Sequence, residues 1–331
     1  MKLSRIQLVL LWMLLFTGST AFAQGPQVTQ RNFPSFAVLG TLGFLPVSVP
    51  QFSYGGWLAP HAAPGEIDQE RLILQVPIYH EGGDNFSLNA GANSLHFGGA
   101  QTLDSSGILV PVSLYKVDLG GAYSHDLGEG KLWGARLSVG SASDKPFDGI
   151  GVTTFGASAY YSWESSEQSR WILTVFASNN NPILDYIPIP GFIYLYQTKT
   201  FIGLFGIPLT SMVWMPSDGW MFTLSAFGPT INAEIAYGDR QGVSVFTGFN
   251  WSQQIFLREA RPDPNDRLYF DEKHIPFGVR FPLFKAIKTD LVVGYAFDGS
   301  VYEGTKFGTK ENGQSPLGHS IYGAWNFKIV L

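Results

Sequence analysis

The residues that most often carry chemistry are spaced in a way that predicts neither a metal site nor a catalytic triad. Ser124 and His125 are adjacent, but neighbouring residues of a strand point to opposite faces, so they would not act as nucleophile and base. The sequence has no Gly-x-Ser-x-Gly elbow. We therefore predict no enzyme activity, no metal and no cofactor. No two histidines have the three- or four-residue spacing of a helical metal site: His61, His80, His96, His125, His274 and His319.

Two groups of carboxylates offer oxygen ligands that a hard cation would accept. Asp144 and Asp148 share one predicted loop, and Glu66, Asp68 and Glu70 lie in another. Solvated loop carboxylates are the simpler interpretation of both groups, and we prefer it.

Charged residues on the polar faces of alternating segments are the better candidates for function. If the segments are strands of a barrel, these side chains face the lumen. They then either brace it by pairing with one another or line a constriction that selects solutes. Bracing is favoured, because a small barrel leaves little open width. The lumen-facing candidates are Lys116, Asp118, Arg136, Glu234, Arg280, Asp290, Asp298 and Lys328.

The segments that would position these charges alternate with a period of two. In one of them Tyr115, Val117 and Leu119 alternate with Lys116 and Asp118. Segments of about 9 to 11 residues suit strands that cross a bilayer at a tilt, with the apolar set facing lipid. The same alternation extends over 133–139, 243–252 and 290–298.

The composition agrees with strands in a membrane. Charged residues make up 14% of the chain, against about 25% in soluble domains, and aromatics reach 15%. The mature chain has no run of 18 apolar residues that would form a spanning helix. The formal net charge of −5, with no basic patch, argues against nucleic acid as a partner, and the absence of cysteine excludes disulfides.

The N-terminus has the three parts of a secretory signal peptide. Lys2 and Arg5 are positive, 8–16 is apolar, and Ala21-Phe22-Ala23 matches a small-x-small cleavage site. We therefore predict a signal peptide over 1–23, an N-terminal periplasmic segment over 24–43 and a transmembrane β-barrel over 44–331.

The strand number follows from the alternation and from where the turns fall. We count about fifteen candidate strands, whereas bacterial single-chain barrels have an even number. Removing one strand between Phe192 and Tyr237 restores long and short connections on alternate sides. The sequence thus predicts an all-β antiparallel barrel of 14 strands, with 12 as the alternative.

The terminal strand and the hairpins carry a family resemblance. Trp325, Phe327, Ile329 and Leu331 share one face of the last strand, and 209–224 forms a clear hairpin pattern. Together with the signal peptide, this pattern resembles the outer-membrane barrels of unassigned function from Bacteroidetes-like bacteria, although that family's terminal residue is usually Phe. The resemblance implies the outer membrane of a Gram-negative bacterium, contact with its lipid, and insertion machinery that recognises the C-terminal strand.

Three hypotheses for function remain open. The leading one is a passive or weakly selective channel for small solutes. The second is a plugged structural barrel that contacts partners through its outer loops. The segment 179–191, with its prolines and apolar residues, is a candidate for either an inward plug or an outward contact surface. The third is a secreted soluble β-protein. The sequence identifies no solute and no oligomeric state.

Overall fold

The computed structural model describes residues 49–61, 65–181, 187–239, 241–284 and 286–330. The predicted signal peptide, the segment 24–43 and the terminal Leu331 lie outside these residues. Among the described residues no helix is long and apolar enough to span a membrane.

Within the described ranges, sixteen antiparallel strands close into one barrel, in which each strand pairs with the next and the last pairs with the first. The barrel strands are β1 Gln51–Pro60, β2 Glu66–Glu81, β3 Asp84–Phe97, β6 Ser113–Gly128, β7 Lys131–Ser143, β8 Thr153–Ser166, β9 Ser169–Ser178, β10 Ile189–Gln197, β11 Phe201–Ile207, β12 Leu209–Trp214, β13 Trp220–Phe227, β14 Thr230–Gly238, β15 Ser244–Phe256, β16 Arg267–Phe284, β17 Ile287–Gly304 and β19 Ser320–Val330.

Three strands and one helix belong to the connections between barrel strands. β4 (Gln101–Thr102) and β5 (Leu109–Val110) form a small hairpin between β3 and β6. β18 (Gln314–Leu317) pairs with the upper part of β17. A single 3₁₀ turn, Ile150–Val152, precedes β8.

The predicted strand number, 14 or 12, is wrong, although the prediction of an even number holds for the described strands. The region in which we removed a strand contains five strands, β10 to β14. β11 and β12 have only 7 and 6 residues, and Pro208 alone connects them. The connection from β13 to β14 is Gly228-Pro229. Connections this short and apolar lack the polar turn residues by which the sequence divides other hairpins.

The two ends of the barrel differ in their connections. We call the end where β1 begins and β19 finishes the lower end. Its connections are short, such as 82–83, 129–130 and 167–168. The upper end carries the long loops 98–112, 144–152, 257–266 and 305–319. Arg258 to Arg267 therefore lies with the long loops.

Side chains alternate between the outer and inner faces of the wall. On β6, Leu119 is 57% exposed on the outside, whereas Ala122 and Ser124 are 3% and 4% exposed on the inside. Leu137 and Val293 are 68% and 54% exposed on the same outer face. So much apolar surface suits lipid rather than water. Exposed aromatic residues lie near the lower turns: Trp133, Tyr161, Trp214, Trp220 and Tyr237.

Candidate functional site in the barrel lumen

An apolar core, which we call the cap, closes the upper end of the lumen. Leu103 and Val110, from the loop that carries β4 and β5, are 0% and 5% exposed. They pack against apolar side chains that the barrel strands direct inwards. Because these side chains exclude water from one another, the upper lumen is dry here. The inward-facing members include Ile67, Leu95, Leu114, Phe256 and Phe270.

Opposite sides of the wall contact each other beside the cap. β7 and β15 lie across the ring from one another. The backbone N–H of Leu257, which follows β15, donates to the carbonyl of Ala142 on β7 at 2.6 Å. Arg261 donates to the carbonyl of Gly151 at 2.7 Å, so the loops 144–152 and 257–266 also meet. The upper barrel is therefore flattened and bridged.

A row of polar side chains crosses the lumen below the cap. Trp57 donates its indole N–H to Gln69 Oε1 at 2.6 Å, and Gln69 Nε2 donates to Asn93 Oδ1 at 2.6 Å. Asn93 Nδ2 then donates to Gln254 Oε1 on β15 at 2.5 Å. This row links β1, β2 and β3 to the far wall and narrows the lumen.

Hydrogen bonds tie the cap loop to the last long loop. The Gln314 backbone N–H donates to the carboxylate of Asp104 at 2.9 Å and holds the pKa of that carboxyl below its usual range. Ser106 Oγ donates to the carbonyl of Asn312 at 2.5 Å. Nearby, Arg258 makes a two-armed ion pair with the buried Glu303, at 2.9 and 3.1 Å. The cap is thus held by neighbouring loops as well as by its own apolar contacts.

Lower in the lumen, Arg71, Lys116, Arg136 and Asp118 form what we call the cationic cluster. Arg71 on β2 and Lys116 on β6 occupy one row, with Asn93 of β3 between them. Asp118 interacts electrostatically with all three cations. Among the described residues, Arg71 and Lys116 form no ion pair, and both side chains are exposed inside the barrel. The cluster therefore has three positive charges and one negative charge in contact with solvent.

Across the lumen, Arg280, Glu234 and Asp290 form what we call the braced cluster. Arg280 binds both oxygens of Glu234 at 3.0 and 3.2 Å and both oxygens of Asp290 at 2.9 and 3.2 Å. Its guanidinium also lies 4.7 Å from the centre of the Phe246 ring. Lys328 lies on the same inner face, opposite Lys288 in the β17–β19 register. Four hydrogen bonds join Arg280 to the two carboxylates, so this cluster stiffens the wall.

Asp298 does not join either lumenal cluster. It has a left-handed φ of 48°, and the β16–β17 register shifts between Asp271 and Lys273 at this level. Its carboxylate pairs with Lys273. Lys273 lies opposite Trp251, an outward-facing residue, with its ammonium 5.4 Å from the indole centre. The irregular backbone thus turns Asp298 to the outer side, where an unbroken alternation would have placed it inside.

The structure brings together two histidines that sequence spacing did not connect. His61 and His274 lie on either side of the buried Glu272, with N–O distances of 3.3 and 2.6 Å. His61 Nδ1 lies 2.5 Å from the carbonyl of Gly318, which leaves that nitrogen facing a backbone acceptor. Within the described ranges no group of three His, Cys, Asp or Glu residues could hold a metal ion. We read the three residues as a structural link between β16 and two upper loops.

An apolar recess of about 870 Å³ lies on the outer wall rather than in the lumen. Leu88, Leu119, Leu137 and Phe155 line it with side chains that are exposed on the outer face. The recess is therefore not part of a path through the barrel.

Comparison with known proteins adds only distant likenesses. No family model and no curated protein matches the chain. Among solved structures, the Pseudomonas putida toluene transporter TodX is 11% identical, with 90% of this chain and 93% of that chain covered and a TM-score of 0.37. The CymD monoaromatic hydrocarbon channel is 10% identical, with 95% of each chain covered and a TM-score of 0.41. At such low scores and identities the likeness does not assign a function to this chain.

Proposed function

We propose that this chain is an outer-membrane channel for the passive passage of small polar solutes, with the cap closed in the present conformation. The observation that supports the proposal most directly is solvent-accessible space inside the wall. Arg71, Lys116 and Asn232 point into the barrel, yet their side chains are exposed. A lumen filled by packed side chains would have buried them.

The outer surface supports a location in the membrane. The exposed apolar belt and the aromatic residues near the lower turns match the two surfaces that an outer-membrane barrel presents to lipid and to its interface. In this proposal lipid is the partner of the belt, and the insertion machinery recognises β19. Membership of a Bacteroidetes-like family stays a prediction, since no family model matches.

The cap suggests how passage is controlled. Above the solvent-accessible part of the lumen, Leu103 and Val110 complete an apolar core that fills the space between the upper strands. In this proposal, passage through that space requires displacement of the loop that carries β4 and β5. Dewetting by apolar side chains is a recognised way to gate a channel.

Single-channel conductance in planar bilayers tests the proposal. In the test variant a Gly-Ser linker of equal length replaces 101–110. In the control a Gly-Ser linker replaces 216–218, an exposed turn at the lower end that does not contact the cap. Heat-modifiable migration on detergent gels verifies folding of each protein. We expect steady conductance from the cap variant and rare openings from the wild type and the control. A folded cap variant without conductance would contradict the channel.

The dry cap also favours a second candidate, a closed barrel that acts through its outer loops. The contacts among 98–112, 257–266 and 305–319 form a continuous, hydrogen-bonded upper surface on which a partner could bind. Conductance that stays absent after removal of the cap would favour this candidate over the channel.

A further inference from the structure

The cationic cluster is unusual because two of its cations, Arg71 and Lys116, form no ion pair among the described residues. The whole chain has a net charge of −5, yet Arg71, Lys116 and Arg136 share the single carboxylate of Asp118. The braced cluster shows that this wall can supply carboxylates where pairing is needed, since Arg280 has two. The excess of positive charge on the other side thus calls for a different explanation from bracing.

The spacing of the cations suits a small ligand. Arg71 and Lys116 lie in one row of the sheet, separated by one strand, so their Cα atoms are about 10 Å apart. Long side chains starting at that separation can converge on an ion a few ångströms across. An arginine fork binds two oxygens of a carboxylate or phosphate, and a lysine adds a point charge.

Within the described ranges, the neighbours of Arg71 and Lys116 offer no ion-pair partner. Asn93, which lies between them in the row, uses its amide to join Gln69 and Gln254. Asp118 is fixed beside Gly91, where an added Cβ would lie 2.5 Å from its Oδ1 atom. Gly91 therefore leaves the space that this carboxylate occupies. The carboxylate of Asp118 therefore acts on both Arg71 and Lys116 without forming an ion pair with either.

From this geometry we infer that the cationic cluster binds small oxyanions, carboxylates or phosphate, and makes anions the preferred solutes of the lumen. The binding part stands on the cluster itself, whereas the preference in transport rests on the proposed channel function. Unneutralised cations in a confined, low-dielectric wall raise the local concentration of anions. Asp118 keeps the affinity low enough for an anion to leave again, as conduction requires.

Isothermal titration calorimetry of the full-length protein in detergent, with inorganic phosphate and separately with acetate, tests the binding. We expect the double variant Arg71→Gln/Lys116→Gln to bind phosphate at least about tenfold more weakly than the wild type. The double variant Lys306→Gln/Lys310→Gln removes the same charge from an exposed loop and should bind as the wild type does. Equal affinity in all three proteins would overturn the inference.

A second variant keeps the test decisive if the double variant fails to fold. Asp118→Asn removes the one restraining carboxylate and should raise the affinity for phosphate about threefold. An unchanged or lower affinity in this variant, with normal heat-modifiable migration, would also overturn the inference. A competition titration shows whether acetate, a carboxylate, binds at the same site as phosphate. We expect the two anions to compete, and independent binding would contradict a shared oxyanion site.

The binding and transport results separate the two proposals. Phosphate binding that depends on Arg71 and Lys116, in a protein whose cap variant conducts nothing, would support the site and reject the channel. Steady conductance without such binding would support the channel and reject the site.

Discussion

The two charged clusters of the lumen use the same residue types but differ in how far their charges are paired. In the braced cluster one arginine binds two carboxylates through four contacts of 2.9 to 3.2 Å. In the cationic cluster three cations share one carboxylate, and Arg71 and Lys116 form no ion pair among the described residues. One cluster holds the wall together, and the other presents charge to the solvent.

Register explains the difference. Arg280 lies directly opposite Asp290. It reaches Glu234 across β15 by passing over the Phe246 ring, and Gly248 lies opposite Glu234. The row that contains Arg71 and Lys116 has an amide, Asn93, where a carboxylate would be needed for pairing. Strand alternation therefore decides which residues reach the lumen, and register decides which of them are neutralised.

The largest effect is expected for a substitution that tests which side chains of β6 face lipid and which face the lumen. Leu119 lies on β6 with Lys116 and Asp118 but points outwards. Leu119→Arg would therefore place a charge in lipid, which should lower the stability of the barrel by about 2–4 kcal/mol. Heat-modifiable migration after refolding into lipid should be largely lost. Asn232→Arg is the matched control, because Asn232 is exposed inside the barrel. Equal assembly of both variants would reject the facing of β6.

The next largest effect separates the clusters by stability. Arg280→Gln leaves Glu234 and Asp290 near each other without their shared cation, and we expect a loss of about 3 kcal/mol in the free energy of unfolding. Arg71→Gln removes no ion pair and should change that free energy little. Urea titration of the lipid-embedded barrel, followed by tryptophan fluorescence, measures both. A larger loss for Arg71→Gln would reverse our assignment of the two clusters.

The closed antiparallel barrel was predictable from the sequence, but the strand number was not. Alternation identifies long strands such as β6 because their two faces meet different surroundings. It fails between β10 and β14, where the strands have 6 to 9 residues and Pro208 alone forms one turn. A strand that short contains too few alternations, and a one-residue apolar connection gives no turn signal.

The cationic and braced clusters were only partly predictable. Seven of the eight predicted charges lie on the inner face, and the register shift that turns Asp298 outwards has no sequence signature. The sequence did not identify Arg71 as a lumen-facing charge. Glu70 and Arg71 are adjacent and place charges on both faces of β2, which hides the alternation of polar and apolar residues there. Residues 182–186 of the candidate segment 179–191 lie outside the described residues, so its role stays a prediction. Among the described residues, the loop 98–112 supplies apolar side chains of the cap. The sequence did not predict the cap, because its core residues Leu103 and Val110 are isolated apolar residues in a stretch that otherwise resembles a polar loop.

A smaller effect tests the clusters by ion preference. In the cap variant, we expect a salt-gradient reversal potential that favours chloride over potassium. Adding Arg71→Glu and Lys116→Glu should lower the chloride-to-potassium permeability ratio roughly fivefold. The same reversal of charge at Lys306 and Lys310, on an exposed loop, should leave the ratio unchanged. A ratio that responds equally to both pairs would show that overall charge, rather than the cationic cluster, sets the preference.

The smallest effect concerns the loop contact above both clusters. The pKa of Asp104 is lowered because the Gln314 N–H donates to its carboxylate, so the contact favours the closed cap above the ordinary aspartate pKa of about 3.9. That contribution is lost as the pH falls through the lowered pKa, since protonation removes the charged acceptor. We expect the open fraction of single-channel recordings to rise about twofold at this acidic end.

Asp104→Asn keeps an acceptor without the charge and should lose this pH response. The carboxylates of Glu303 and Asp266 lie among the same loops, so the wild type and the variant are compared at each pH. An identical pH response in both proteins would show that Asp104 does not hold the cap.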